Sequence, residues 1–184
     1  MSNLLVETTP LEGLLILTPR RFGDARGFFS ESWNAQTMAD AGIDLAFVQD
    51  NHSLSARKGT LRGLHFQTPP MAQDKLVRCG RGALFDVAVD IRSGSPTYGQ
   101  WFGVELSAEN GRQLLVPIGF AHGFVTLNDD TEICYKCTAP YAPECDAGIA
   151  WNDPAIGVEW GVSDPVLSDK DAQAGTLAQV GTPF

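Results

Sequence analysis

The sequence predicts an all-β fold, a sandwich or a jelly-roll barrel with a few short helices. Short segments of alternating apolar and polar residues recur along most of the chain, and 19 Gly and 11 Pro provide turns between them. The 184 residues are near the size of one domain, and no linker, internal repeat or low-complexity segment divides them. We expect a single domain over residues 1–184, with an N-terminal arm over about residues 1–35 and a helical C-terminal tail over about residues 165–184.

The N-terminal part of the chain contains one strand, an irregular arm and one helix candidate. Residues 14–17 form a short apolar run that ends at Pro19. Residues 20–31 follow, with glycines that mark turns, two arginines at the start and a third between aromatic residues. Such a segment fits an irregular loop anchored by phenylalanines, or an arm that stacks on a flat ring and holds a phosphate. Residues 34–41 form the helix candidate, in which Asn34 can be the N-cap and Gly42 can end the helix.

A histidine and several basic residues are concentrated in the centre of the chain. Residues 61–67 and 75–78 predict two strands joined by the Pro-containing loop 68–74, and we interpret them as a half-buried hairpin. Arg62 and His65 are three residues apart, so a regular strand would direct them to opposite faces. If both line one pocket, the strand must bulge, and Gly63 is the residue that allows it.

The clearest strand covers residues 83–91, where two sets of side chains alternate. One face carries Phe85, Val87, Val89 and Ile91, and the other carries Leu84, Asp86, Ala88 and Asp90. Residues 101–106, 114–116, 120–127 and 133–137 predict further strands, and Glu109-Asn110-Gly111 predicts a hairpin turn. Near the C-terminus, Ser168 can cap a short helix.

Composition and charge exclude several functional classes. A formal net charge of −9 argues against non-specific binding to nucleic acid or to an anionic membrane. No apolar run reaches membrane-spanning length, and the first residues do not resemble a signal peptide. We therefore expect a cytoplasmic protein with reduced thiols. Cys134 and Cys137 have a CxxC spacing, but residues three apart in a strand face opposite ways, which favours structural cysteines.

Several polar residues are candidates for chemistry. A strand histidine can transfer protons near neutral pH, and Arg or Lys beside it can hold anionic oxygens. Gln49, Asp50 and Asn51 cluster at one strand end, either as turn formers or as polar groups that line a pocket.

A series of motifs gives the chain a resemblance to a known family. They are GDARGFFSE (23–31), VQDNHS (48–53), LRGLHFQ (61–67), KLVR (75–78), FDVAVDIR (85–92), PIGFAHGF (117–124), YK (135–136) and WND (151–153). In this order they closely resemble the dTDP-4-dehydrorhamnose 3,5-epimerases, which are cupin-fold enzymes of nucleotide-sugar biosynthesis. The resemblance runs from about Leu14 to Asp171.

The resemblance implies a cupin-type jelly-roll homodimer that acts on dTDP-4-dehydro-6-deoxy-D-glucose without a cofactor or a metal. It implies that the N-terminal arm reaches the partner's site. The family's catalytic base matches His65, and the carboxylate that partners this base matches Asp171. The proton donor matches Tyr135, and the residue beside the sugar carbonyl matches Lys75. The substrate-binding positions match Phe22, Arg26, Glu31, Gln49, Asn51, Arg62, His122, Asp146 and Lys170, and Asp50 lies within one of these motifs.

The expected chemistry accounts for these residue types. A C4 ketone acidifies the hydrogens on C3 and C5 of the sugar, and inversion requires that a proton leaves one face and another arrives on the opposite face. Two groups that flank the ring are therefore needed. His65 suits the base, Asp171 orients it, and Tyr135 suits the acid. The enolate oxygen needs a fixed cation, which Lys75 provides.

Three alternatives stay open at this point. A mono-epimerase would invert only C5 or only C3 of a related sugar. A metal-dependent cupin would need clustered ligands, typically two His one residue apart, whereas the three His stand singly at positions 52, 65 and 122. A non-catalytic nucleotide-sugar-binding cupin would keep the arginines but is not expected to keep both His65 and Tyr135.

Overall fold

Two antiparallel sheets packed face to face form a jelly roll, as the sequence predicts. The computed structural model describes residues 3–181, 183 and 184. The strands are β1 (Leu4–Thr8), β2 (Leu15–Pro19), β3 (Arg21–Asp24), β4 (Gly27–Ser30), β5 (Gln49–Ser55), β6 (Leu61–Gln67), β7 (Lys75–Arg81), β8 (Ala83–Asp90), β9 (Trp101–Ser107), β10 (Gln113–Val116), β11 (Phe120–Thr126), β12 (Thr131–Cys137) and β13 (Asp146–Gly148). The helices are α1 (Ala35–Asp40), α2 (Asp169–Ala172) and α3 (Leu177–Val180), with a 3-10 turn at Pro143–Cys145.

The sheet order determines which strands face each other. The six-stranded sheet has the order β1-β2-β10-β7-β12-β5, and the five-stranded sheet has the order β13-β6-β11-β8-β9. Strands β3 and β4 pair only with each other and form the arm. Strands β6 and β7, which follow each other in the chain, therefore lie in opposite sheets.

Apolar residues are buried between the sheets and on the outer face of each sheet. The core between the sheets includes Leu84, Leu114 and Phe124. The outer face of the five-stranded sheet is covered by the C-terminal segment through Trp160 and Leu177. Because both faces of this sheet are covered, all seven residues of β11 are buried. This double burial holds the strand rigidly beside the site described below.

The alternation predicted for β8 is confirmed. Val87 and Val89 pack in the cluster on the outer face, whereas Leu84 and Ala88 pack in the core between the sheets. Asp86 has the same parity as Leu84 and Ala88, so it lies on the inner face, where it is fully buried. A carboxylate is thus placed between the two sheets.

The bulge predicted in β6 is confirmed. Across the β6–β11 pair, His65 lies opposite His122 and Arg62 lies opposite Phe124, with a register shift between them. Strand β6 therefore has one residue more than β11 over this interval, which turns Arg62 and His65 to the same face. Gly63 has a φ of +137°, and a Cβ there would lie 2.5 Å from the Cα of Gly123. Only glycine fits this position.

Two predicted hairpins are wrong. Strands β6 and β7 do not pair, because the loop 68–74 carries the chain from the five-stranded to the six-stranded sheet. The turn at Glu109-Asn110-Gly111 likewise joins β9 and β10, which belong to different sheets. Turn signals mark where a strand ends, but they do not distinguish a hairpin from a crossover between two sheets.

Both predicted helix caps are confirmed. The Asn34 side chain accepts a hydrogen bond from the backbone N–H of Thr37 at the start of α1. The Ser168 side chain accepts one from the backbone N–H of Asp171 at the start of α2. Among residues 3–181, 183 and 184, no helix is long and apolar enough to cross a membrane.

Candidate active site

Two adjoining cavities lie between the two sheets of the jelly roll. The first, named here the Tyr141 cavity, has a volume of about 410 Å³, and the second, the His122 cavity, has about 250 Å³. His65, Lys75 and Tyr135 line both cavities. The three side chains that sequence analysis assigns to proton transfer and to the sugar carbonyl therefore lie where the cavities meet.

His65 is held by a buried carboxylate. Its Nε2 lies 2.5 Å from Oδ1 of Asp171, which is 4 % exposed. The hydroxyl of Ser168 donates to Oδ2 of the same carboxylate at 2.8 Å. The N-cap of α2 thus positions Asp171, and Asp171 orients the imidazole. Since Nε2 is occupied, Nδ1 is the nitrogen left for a substrate.

The Asp171 carboxylate is stabilised in its charged form. Burial alone raises the pKa of this group, but the hydrogen bond and charge of His65 and the hydroxyl of Ser168 outweigh burial and lower it. Asp171 is therefore a permanent anion near neutral pH, which suits a group that stabilises an imidazolium.

Tyr135 stands on the wall opposite His65. His65 lies on β6 of the five-stranded sheet, and Tyr135 lies on β12 of the six-stranded sheet. The Tyr135 hydroxyl makes no hydrogen bond to any other described residue. Burial raises the pKa of Tyr135, so the phenol stays protonated at neutral pH. A substrate in the cavity would lie between an imidazole and a phenol.

Lys75 and Arg62 are cations that no carboxylate neutralises within the described part of the chain. Lys75 lies on β7, and its Nζ is 3.5 Å from the backbone oxygen of His65. Burial lowers the pKa of Lys75, although nearby anionic groups oppose this effect. The Arg62 guanidinium is exposed and reaches only neutral groups, the hydroxyl of Ser55 and the carbonyl of Leu54. Both cations can therefore bind anionic oxygens of a ligand.

A network of polar side chains lines the Tyr141 cavity. The Gln49 amide donates to Oδ1 of Asn51 at 3.0 Å, and its oxygen accepts from the backbone N–H of Tyr141 at 2.8 Å. The Tyr141 hydroxyl donates to Asp146 at 3.1 Å, and Asp146 also pairs with Lys170. These contacts hold an exposed aromatic ring at the rim of the cavity.

His122 forms a second histidine–carboxylate pair. It lines the His122 cavity, and its Nε2 lies 2.8 Å from Oδ1 of the buried Asp86. Since His122 pairs directly with His65 across the two strands, the two Cβ atoms are expected to lie about 5 Å apart. The structure therefore brings two imidazoles to one wall.

Four predicted residues do not line these cavities within a single chain. Phe22 and Arg26 lie on the exposed hairpin β3–β4, where Arg26 pairs with Asp24 at 2.5 Å. Glu31 follows this hairpin and is also exposed. Asp50 points to the outer face of the six-stranded sheet, where it pairs with Lys136 at 2.8 Å, because its neighbours Gln49 and Asn51 take the inward positions.

Several residues that line the site are not among those predicted from the sequence. The Tyr141 cavity is also lined by Gln67, Gln73, Cys137 and Tyr141, and the His122 cavity by Ser53, Phe124, Ile133 and Ser168. Inward alternation from Asn51 could have identified Ser53. Asp86 was placed on the correct face of its strand, and a carboxylate among apolar inward residues was the signal of its role.

The four cysteines are free thiols, as expected from the sequence. Cys137 lines the Tyr141 cavity and Cys134 lies on the opposite face of β12, so the CxxC pair is divided between two faces. Within residues 3–181, 183 and 184, no group of three or more His, Cys, Asp or Glu is placed to hold a metal ion.

Comparison with known proteins extends the resemblance seen in the sequence. Residues 8–179 match the family model of dTDP-4-dehydrorhamnose 3,5-epimerase. The chain is similar to the dTDP-4-dehydrorhamnose 3,5-epimerase of Salmonella typhimurium, with 57 % identity over 178 residues that cover 96 % of this chain and 97 % of the relative. The chain belongs to this family.

Solved structures of the family agree with the fold. The structure resembles the dTDP-6-deoxy-D-glucose-3,5-epimerase of Legionella pneumophila in complex with dTDP-4-keto-L-rhamnose, with a TM-score of 0.92, 46 % identity, and coverage of 98 % of each chain. It also resembles a 3'-monoepimerase from Streptomyces bikiniensis in complex with dTDP-quinovose, with a TM-score of 0.87, 36 % identity, and coverage of 92 % of this chain and 86 % of that chain. The fold is thus shared by double and single epimerases.

Proposed function

We propose that this protein is an isomerase that inverts C3 and C5 of dTDP-4-dehydro-6-deoxy-D-glucose and yields dTDP-4-dehydro-L-rhamnose. The observation that carries the proposal is the position of His65 and Tyr135 on opposite walls of one cavity, with Lys75 between the two sheets. An inversion needs a base on one face of the sugar and an acid on the other, and this arrangement provides both.

The first step is proton abstraction by His65. The C–H bond at C3 or C5 breaks, the proton moves to Nδ1 of His65, and the electron pair passes to the C4 oxygen to form an enolate. Nδ1 is available because Nε2 is bound to Asp171. The Asp171 carboxylate holds the ring in place and stabilises the imidazolium that forms.

The second step returns a proton to the opposite face. The Tyr135 O–H bond breaks, its proton moves to the carbon, and the enolate collapses to the ketone. The tyrosinate then regains a proton from solvent, and the His65 imidazolium releases its proton to solvent. The raised pKa of Tyr135, caused by burial, keeps the phenol in the form that can donate.

Lys75 stabilises the enolate oxygen between these steps. A fixed cation at a developing oxyanion is often the largest single contribution to catalysis. Burial lowers the pKa of Lys75, but an enolate beside it favours the ammonium form. The cation is thus most strongly stabilised when the oxyanion is present, which is the differential binding that accelerates a reaction.

The dTDP moiety is expected to occupy the rest of the cleft. Arg62 offers a guanidinium without a carboxylate partner in the described structure, and Lys170, Gln49 and Asn51 offer donors in the Tyr141 cavity. The exposed ring of Tyr141 lies at the rim of the same cavity, where an aromatic face suits a pyrimidine base.

We further propose that the active form is a homodimer in which the arm of one subunit completes the site of its partner. Phe28 and Phe29 on the arm are 60 % and 69 % exposed, which is unusual for large apolar side chains on a free surface. Phe22, Arg26 and Glu31 do not reach the cavities of their own chain, yet they match substrate-binding positions of the family.

A mixed-dimer experiment tests the arm exchange. Arg26→Ala and His65→Ala subunits are each expected to be poorly active alone. If the arm acts in the partner's site, dimers formed from equal amounts of both contain one intact site in half of the molecules, and about a quarter of wild-type activity returns. Activity that stays at the level of the separate variants would contradict exchange.

That the protein works in the cytoplasm remains a prediction, which the four free thiols support.

The single-epimerase alternative deserves a direct test because a Streptomyces bikiniensis 3'-monoepimerase has the same fold. The protein is incubated with dTDP-4-dehydro-6-deoxy-D-glucose in heavy water, and the sugar is analysed by NMR. Deuterium and inversion at both C3 and C5 would support the proposal. Deuterium and inversion at one carbon would identify a mono-epimerase, and no deuterium with retained dTDP binding would identify a non-catalytic nucleotide-sugar-binding protein.

A further inference from the structure

Asp86 is a buried carboxylate that the mechanism above does not use. It is 0 % exposed, and Oδ1 accepts a hydrogen bond from Nε2 of His122 at 2.8 Å. Its second oxygen, Oδ2, is buried and has no hydrogen-bond partner among the residues that the structure describes. A buried carboxylate oxygen without a partner costs free energy, so an apolar residue would be better for stability at this position.

Asp86 fixes the orientation of His122. With Nε2 bound to Asp86, the His122 side chain lines the cavity with an Nδ1 that makes no hydrogen bond among the described residues. His65 is arranged in the same way, with Nε2 on Asp171. The two residues are direct partners across β6 and β11. Each imidazole is therefore held by its own carboxylate and offers the same nitrogen to the cavity.

Asp86 is also linked to Lys75 by position, because Lys75 lines the same cavity as His122, which Asp86 holds. Burial lowers the pKa of Lys75, and the charges of Cys137, Asp146 and Asp86 oppose this effect, whereas Lys170 adds to it. The other titratable or charged side chains that line the cavities with Lys75 are Arg62, His65, His122, Tyr135, Tyr141 and Asp171.

Most of these anions are already neutralised. Of the three groups that oppose the effect of burial on Lys75, Asp146 pairs with Lys170, and Cys137 stays an uncharged thiol because burial raises its pKa. The only described partner of Asp86 is His122, which leaves Oδ2 unpaired. Asp86 is therefore the one carboxylate among these three groups that no described Lys or Arg pairs with.

We propose that Asp86 is a positioning residue of this site, which directs Nδ1 of His122 into the cavity and places a buried negative charge behind the wall that His122 shares with Lys75. It acts through these two side chains and does not contact the sugar. The inference rests on the proposed function, in which the Lys75 ammonium stabilises the C4 oxygen of the sugar.

The first test measures Lys75 directly. The chain has four lysines, Lys58, Lys75, Lys136 and Lys170, so a protein labelled with ¹³C at lysine Cε gives few signals, and Lys75→Arg assigns the relevant one. In Asp86→Asn the Lys75 signal is expected to titrate at a lower pH than in the wild type. Asp90→Asn is the matched control, because Asp90 is an equally buried carboxylate on β8 that Arg92 neutralises. An unchanged Lys75 titration in Asp86→Asn, or an equal shift in the control, would overturn the proposal.

The second test needs no substitution at Asp86, so it still tests the orientation of His122 if Asp86→Asn does not fold. The chain has three histidines, and ¹⁵N correlation spectra of the wild type report which ring nitrogen of each carries a proton. In the neutral form of the His122 ring, the proposal requires a proton on Nε2 and none on Nδ1. A proton on Nδ1 would contradict the orientation assigned to Asp86.

The kinetic consequence follows from the charge of Lys75. In Asp86→Asn, kcat is expected to fall about 10- to 100-fold, and the alkaline limb of its pH profile is expected to move to lower pH, whereas Asp90→Asn keeps the wild-type profile. A fall in kcat without a shift of the alkaline limb would reduce Asp86 to a structural role. Because both NMR readouts are independent of turnover, they would still decide the role of Asp86 if the protein failed to epimerise the proposed sugar.

Discussion

Replacing Asp171 with Asn is expected to slow proton abstraction about 10- to 150-fold while the chain stays folded. Asn has nearly the same shape and can still accept a hydrogen bond from Nε2 of His65, but it carries no charge to stabilise the imidazolium. The substitution removes the charge from the hydrogen bond between Nε2 of His65 and Oδ1 of Asp171, which are 2.5 Å apart. Asp171 is only 4 % exposed, so solvent screens this bond little. Such charge-assisted bonds are worth about 1.5–3 kcal/mol, and each 1.36 kcal/mol is a factor of ten in rate.

The assay is the rate of deuterium incorporation from heavy water into dTDP-4-dehydro-6-deoxy-D-glucose, since this rate reports abstraction and not reprotonation alone. Asp169→Asn is the matched control, because Asp169 lies in the same helix but is exposed. The control is expected to exchange at the wild-type rate. A change of less than about threefold in Asp171→Asn, with an intact thermal transition, would refute the assignment of Asp171 as the partner of the base.

The remaining predictions concern the enolate cation, the bulge and acid stability. Lys75→Gln is expected to lower kcat about 10²–10³-fold, whereas Lys58→Gln at an exposed turn has no effect; equal rates would remove Lys75 from catalysis. Gly63→Ala is expected to destabilise the fold by at least about 2 kcal/mol, or about 4–8 °C in Tm. The control is Gly94→Ala, which is expected to lower the Tm less, because Gly94 also has a positive φ but has open space where a Cβ would lie. Equal losses of Tm in the two variants would show that close packing at Gly63 is unimportant. Burial would raise the pKa of Asp90, but hydrogen bonds from Arg92, Ser95 and Thr97 lower it strongly. The charged Asp90 therefore stabilises the fold above the unfolded pKa of about 3.9, and this stabilisation is lost as the pH falls below that value. The Tm of Asp90→Asn is accordingly expected to fall less steeply with acid than the Tm of the wild type.

The sequence predicted local structure better than the pairing of strands. The two faces of β8 followed from simple alternation, and the bulge at Gly63 followed from the need to turn Arg62 and His65 to one side. The pairing of β6 with β7 was wrong because a loop of seven residues can close a hairpin or cross between sheets, and the loop composition does not distinguish these outcomes. In this protein the crossover is what places Lys75 opposite His65.

The candidate site was predicted from family motifs more than from geometry. Ten of the fourteen assigned positions line the two cavities. Asp50 does not, because adjacent residues of a strand alternate between faces and Asn51 takes the inward position. Phe22 and Arg26 lie on the exposed β3–β4 hairpin and Glu31 follows it, away from the two cavities of their own chain, and their place in a partner's site remains a proposal. The roles of all these residues remain predictions.

The measurement that tests the two-sided mechanism most directly is deuterium exchange by Tyr135→Phe. The variant is incubated with dTDP-4-dehydro-6-deoxy-D-glucose in heavy water, and label and configuration at C3 and C5 are read by NMR. If His65 removes the proton and Tyr135 returns one from the opposite wall, at least one carbon is expected to gain deuterium faster than it inverts, because the base still works and can return the label to its own face. Complete and equal loss of exchange and inversion, in a folded variant that still binds dTDP, would contradict the separation of base and acid on which the account depends.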